Sequence, residues 1–167
     1  MNEPERAPAW HIAQWFNTPA PISLEAQRGK VVVACAFQML CPGCVSHAIP
    51  QLKALHELFA PQGVCVVGLH TVFEHHEAVT ASVLEAFLHE YGIRCPVGID
   101  APARDGRPIP QTMAAYRMQG TPTFLLIDRQ GRLRRQVFGL VPELRFGAEV
   151  MQLLMEPASA TRKGPMS

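Results

Sequence analysis

The chain has 167 residues, 48% of them apolar and 17% charged, which is one domain's length with enough apolar surface for a core, so repeat arrays and disorder throughout are excluded. Fifteen basic residues against 14 acidic ones leave a formal charge of +1, far from the excess that a sequence-blind grip on phosphates needs, so nucleic acid is excluded as a partner. An odd count of five cysteines does not read as a disulfide scaffold and suits a reducing compartment.

In chain order, Met1 to Ala9 carries Glu3, Glu5 and Arg6 and has no apolar run of signal-peptide length, so a flexible segment over 1–9 and a cytoplasmic location are expected. Trp10 and Trp15 flank a short predicted helix, His11 to Phe16. Lys30 to Phe37 is a continuous β-branched run, read as a strand buried on both faces, and Gly63 to Leu69 repeats it. Between them Val45, Ala48, Ile49, Leu52, Leu55 and Leu58/Phe59 fall at helical spacing up to Pro61-Gln62-Gly63. That order predicts a right-handed βαβ crossover and a parallel strand pair. A second helix over Ala78 to Tyr91, with Val79, Val83 and Phe87 inward, leads to a short strand at Pro96 to Ile99.

Asp100 to Pro110 holds three prolines and one glycine and reads as a loop, followed by two helical turns over Gln111 to Met118. Phe124 to Ile127 and Leu133 to Phe138 flank Asp128-Arg-Gln-Gly131, a hairpin signal with glycine where φ must be positive. Arg132, Arg134 and Arg135 on its second arm read as a solvated, charge-protected edge. A closing helix covers Glu143 to Met155, and the tail 156–167 is expected to fray. The sum is a single α/β domain over 10–155, a central mixed β-sheet flanked by helices on both faces, and no segment of about 18 apolar residues to cross a membrane.

Cys41-Pro42-Gly43-Cys44 is the most informative stretch. It falls after a buried parallel strand and before a helix, at the edge where open α/β sheets expose their sites. Amides of the first helical turn favour a thiolate there, Pro42 suits the first helical position, and the i, i+3 spacing lets the sulfurs bond. Cys41 is expected to be exposed and nucleophilic, and Cys44, one turn inside, to be the shielded resolving thiol. Zinc would need four ligands, and no second CxxC or paired-histidine knuckle is spaced for it, so no metal is expected at the site.

These residues resemble the thioredoxin superfamily in its TlpA/ResA-like, redoxin branch, from about Ile22 to Leu154. The likeness rests on Leu24-Glu-Ala-Gln-Arg-Gly-Lys30, Cys41 to Cys44, the helix with Pro50, and Gly120-Thr-Pro-Thr-Phe-Leu-Leu-Ile-Asp128. It implies a thioredoxin-like fold, a cis Pro122 facing the cysteines, and Thr121 binding an extended substrate by backbone bonds. Pro42, Gly43, Thr121 and Pro122 would then form the substrate platform. Three departures stand out. Leu40 after Met39 replaces the usual tryptophan, predicting an apolar, adaptable rim; Cys35 replaces the buried carboxylate of thioredoxins proper; and Pro50 comes six residues after Cys44, where those relatives usually show five.

With that acid missing, His47, three residues past Cys44 and expected on the same helical face, is the candidate proton acceptor, since histidines titrate near neutral pH. A second cluster, His70-Thr-Val-Phe-Glu-His-His76, starts at the end of the neighbouring strand. Glu74, His75 and His76 are accessory candidates, against the simpler reading of a solvated loop. Cys65 and Cys95 read as core cysteines. The function expected is thiol-disulfide exchange on a protein or small-molecule disulfide, with an external reductant and no bound cofactor. Two alternatives stand beside it. A peroxiredoxin-like peroxidase would require Pro at 34 and Thr or Ser at 38, where the chain has Ala34 and Gln38. A copper or zinc metallochaperone would bind through the cysteines and a histidine.

Overall fold

A computed structural model describes residues 4–158. The β-branched run of the sequence becomes β2 (Val32–Phe37), which is buried along its whole length and occupies the middle of a six-stranded sheet. Strand order is β1-β4-β3-β2-β5-β6, where β1 is Ile12–Phe16, β3 Cys65–His70, β4 Val97–Asp100, β5 Thr123–Ile127 and β6 Leu133–Phe138. The pairs β2–β3 and β3–β4 are parallel and the other three antiparallel. The hairpin between β5 and β6 turns at Gly131, at φ 74°, in the left-handed region that glycine enters without a steric penalty.

Alternation along β2 splits the core. Val33, Cys35 and Phe37 face one apolar cluster with α1 (Ile49–Phe59), α2 (Ala81–Glu90) and α4 (Glu143–Met155); Val32, Ala34 and Ala36 face another with α3 (Gln111–Ala115). Helices on both faces of a mixed sheet are what the element pattern predicted. In α2 the inward side is Leu84 and Leu88, with Phe87 half-buried, while Val83 is exposed. The first element differs in kind. His11 to Phe16 is no helix: β1 is an edge strand hydrogen-bonded to β4, its partner more than eighty residues away, and Trp15 lies beside Gly98.

The described residues next to both termini make hydrogen bonds to the body of the domain. The Leu133 N–H donates to the Glu5 carbonyl and the Ala7 N–H to the Gly131 carbonyl, each at 2.9 Å, and Ala7 is buried. At the other end Arg129 donates to the Leu154 and Glu156 carbonyls, and Glu156 pairs with Arg134. The rest of the expected tail, 159–167, and residues 1–3 lie outside the described residues. The arginines at the start of the second hairpin arm are partly exposed but ion-paired rather than simply solvated. Arg132 and Arg134 both reach the Asp128 carboxylate, at 2.9 and 3.2 Å, and Arg135 holds Glu149. Among the described residues no helix is long and apolar enough to cross a membrane.

Candidate active site

The carboxyl end of β2 delivers the chain through Gln38, Met39 and Leu40 to Cys41, and the helix that follows begins at Pro42. The Cys41 N–H donates to the Gln38 carbonyl, tightening this approach. Cys41 and Cys44 are joined as a disulfide with their Cα atoms 5.2 Å apart, within the range a bridge requires. The two sulfurs are not equivalent. Cys44 is fully buried in the core cluster of α1, whereas Cys41 is half-buried at its edge. The Cys44 N–H donates to Cys41 Sγ at 3.2 Å, the interaction that a first-turn amide offers to a developing thiolate.

The opposite wall comes from the turn before β5. The Thr121-Pro122 peptide is cis, the Thr121 carbonyl oxygen lies 3.5 Å from Cys41 Sγ, and Pro122 faces Gly43, where a Cβ would meet its ring at an ordinary contact distance of 3.8 Å. Pro42, Gly43, Thr121 and Pro122 are thus brought together around Cys41. Phe138 at the end of β6 is half-exposed and its ring lies on Gly120: a Cβ there would stand 2.9 Å from the ring edge. The Gly139 N–H bonds the Pro122 carbonyl at 2.8 Å. Leu40 is 57% exposed and Leu140 64%, so apolar side chains stand open on the segments flanking the site. Met39 is not one of them; it is buried in the core.

The extra residue between Cys44 and Pro50 has a structural answer. Cys44–Ala48 is a π-helical turn: the Val45 N–H bonds the Cys41 carbonyl four residues back, but the Ile49 N–H bonds the Cys44 carbonyl five back. Such a bulge absorbs one inserted residue without breaking the helix. It also corrects the expectation for His47. In the wider turn i+3 no longer follows i on one face, and His47 is exposed while Cys44 is buried. Its Nδ1 instead lies 2.7 Å from Ser46 Oγ, which bonds the Pro42 carbonyl at 2.7 Å. Ser46 was overlooked in the sequence, although its position four residues after Pro42 is the spacing at which serine back-bonds to a helix carbonyl.

Glu74, His75 and His76 are all exposed, and the His76 ring makes its hydrogen bond to the Pro108 carbonyl. No hydrogen bond or ion pair joins the three to Cys41 or Cys44 among the described residues. The first histidine of that run behaves differently. His70 ends β3 at 1% exposure, packs on Phe37, has no partner at Nε2, and burial drives its pKa down to about 4. It is a neutral core ring. Cys35 is buried in the same core cluster as Cys44; burial, with the nearby Cys95, pushes its thiol far up, while burial takes Cys65 to about 11 and Cys95 to about 12. None of these is a thiolate at neutral pH. Gln38 is buried and its Oε1 accepts the Phe73 N–H, so that side chain is committed to loop structure where a peroxidase needs a free hydroxyl. Among the described residues no three His, Cys, Asp or Glu side chains are grouped to hold a metal ion.

The Redoxin family profile matches residues 4–142 of the chain. The DipZ protein of Mycobacterium bovis is 30% identical over 161 residues, covering 90% of this chain but only 22% of its own length. The thiol-disulfide oxidoreductase ResA of Bacillus thuringiensis is 26% identical over 118 residues, 71% of this chain and 60% of that one. Thus the chain spans about a fifth of the first of these relatives and three fifths of the second. Among solved structures, the thioredoxin-like superfamily protein SPOA0173 superposes at a TM-score of 0.88 with 54% identity, over 92% of this chain and 99% of that one. A thiol-disulfide isomerase from Corynebacterium glutamicum gives 0.85 and 44%, over 90% and 98%. The family match over most of the chain and the superposition on these structures show that the chain is a member of the Redoxin family with a thioredoxin-like fold.

Proposed function

We propose that this protein is a thiol:disulfide oxidoreductase in which Cys41 is the nucleophile and Cys44 the resolving thiol. The observation that carries the reading is the asymmetry of the pair: an accessible sulfur with an amide donor on it, and a buried one within bonding distance. In the reduced form the Cys41 thiolate attacks a substrate disulfide, its sulfur bonding to one substrate sulfur while the other leaves as a thiolate. Cys44 then loses its proton and attacks Cys41 Sγ. The second substrate thiolate departs, and the protein is left with the Cys41–Cys44 disulfide.

Burial pushes the Cys35 thiol far up, which ill suits it to relay that proton, and among the described residues no carboxylate hydrogen-bonds Cys41 or Cys44, so the departing substrate thiolate is the natural acceptor. Pro42, Gly43, Thr121 and Pro122 supply the platform, with the Thr121 backbone open to an extended segment beside Cys41. The partner class is a disulfide-bearing protein or small molecule, with an external dithiol restoring the reduced state. Three further cysteines left unpaired favour a reducing compartment such as the cytoplasm. Glu74, His75 and His76 take no part in this reading.

Trapping tests the roles. Incubated with a disulfide-bonded protein substrate, Cys44→Ser is expected to accumulate a covalent adduct that reductant releases, and Cys41→Ser to form none. Equal trapping by the two variants contradicts the assignment.

A further inference from the structure

The π turn brings together three groups that the exchange chemistry does not by itself require. Ser46 Oγ lies 2.7 Å from the Pro42 carbonyl oxygen and 2.7 Å from His47 Nδ1. A carbonyl only accepts, and a hydroxyl has one hydrogen, so the Ser46 proton goes to Pro42. Nδ1 of His47 must then carry the hydrogen that completes the second bond, which fixes the tautomer and leaves Nε2 toward solvent. The result is a directed chain, imidazole N–H to hydroxyl to carbonyl, ending on the peptide unit between Pro42 and Gly43 inside the redox turn.

Donation onto a carbonyl polarises its own peptide unit and makes the N–H at its far end more positive. Here that N–H belongs to Gly43, one residue before the Cys44 N–H that already bonds Cys41 Sγ. Both lie in the first turn, where amides have no intrahelical acceptor. The chain of donors therefore adds positive character beside Cys41, and this favours the form in which that sulfur is an anion. In the disulfide the sulfur carries no charge and gains little. We propose that Ser46 is a positioning residue of the dithiol, tilting the equilibrium toward the reduced form by holding the Pro42 carbonyl, with His47 reinforcing it through the hydroxyl. This rests on the reading of Cys41 and Cys44 as the exchanging pair, and it assigns the exposed His47 a part that needs no contact with either sulfur.

The test is a redox titration of the full chain against mixtures of reduced and oxidised glutathione. One disulfide plus two glutathione thiols gives the dithiol plus glutathione disulfide, and the fraction reduced is read by alkylation and intact mass. Ser46→Ala removes the hydroxyl at an exposed position where alanine is a strong helix former, so folding is retained. The expected result is a shift of the exchange constant toward the disulfide by about threefold, the low end of one hydrogen bond's worth, because that bond is also made in the disulfide form and only its polarising effect differs between the two states; threefold corresponds to about 14 mV for a two-electron couple. Ser46→Thr, which keeps the hydroxyl, is expected to restore the parental constant within about twofold. His47→Ala is expected to shift it in the same direction, with no further shift in the double variant. A parental constant in Ser46→Ala, or a threonine variant that behaves like alanine, overturns the inference while leaving the exchange reading intact. Failure of the parent itself to titrate overturns both.

Discussion

His70 shows how a residue can sit at the functional edge of a sheet and still serve the core. Its ring is buried against Phe37 and its Nε2 has no partner. Burial lowers its pKa from 6.5 to about 4. Between those values the unfolded chain binds a proton that the folded one refuses, so stability is full above pH 6.5 and falls as the pH drops toward 4. A shift of this size removes about 2 kcal/mol between pH 7.5 and pH 5. Urea unfolding at the two pH values is expected to show that loss in the parent and to show most of it abolished in His70→Phe, which keeps a ring and removes the titration. Equal pH sensitivity in the two proteins contradicts the assignment. The Glu-His-His run attracted attention in the sequence because its side chains are chemically capable, but sequence does not show direction. Glu74, His75 and His76 point to solvent, and the serine between the obvious candidates, a residue with little chemistry of its own, is the one tied to the redox turn.

Among the elements, the edge strand β1 is the one whose packing is easiest to disturb. A Cβ on Gly98 would stand 2.8 Å from Ile12 Cγ2 and 3.2 Å from the Trp15 ring, so the glycine is what lets β1 lie against β4. Gly98→Ala is expected to cost about 1–3 kcal/mol in urea unfolding, the usual price of overpacking, with amide exchange rising first in β1. Unchanged stability and exchange would mean that β1 accommodates the methyl group freely. The same strand was illegible in the sequence for a physical reason. Ile12, Trp15 and Phe16 fall at i, i+3 and i+4, a helical period, and only pairing with a distant strand fixes the extended form. The inner strands and α4 were legible because their apolar content or period admits one reading. The CxxC was legible because motif and position agree. The π turn was visible only as a one-residue discrepancy in the Cys44 to Pro50 spacing, and its consequence, an outward His47, follows from helix geometry that α-helical counting misses.

At the scale of the molecule, two regions behave differently. One end of the sheet carries the dithiol, the cis-proline turn and exposed apolar side chains on the segments around them. Away from the dithiol, the β5–β6 hairpin is bound to the end of α4. Asp128 accepts from the backbone of Gln130 and Arg132 and from the guanidinium groups of Arg132 and Arg134, while Arg134 also holds Glu156. Burial works to raise the Asp128 pKa, but those donors outweigh it and hold it below the ordinary carboxylate value. Its contribution is therefore lost only in strong acid, below the window in which His70 acts.

The central claim is that one sulfur of the pair is presented for attack and the other is withheld. Stoichiometric reduction of the parent protein, followed by time-resolved iodoacetamide labelling at pH 7 and peptide mass spectrometry, tests it most directly. The account expects label on Cys41 at least about tenfold faster than on Cys44, with Cys35, Cys65 and Cys95 slower still. Equal labelling of Cys41 and Cys44, or a Cys41 that resists the reagent after reduction, would contradict it.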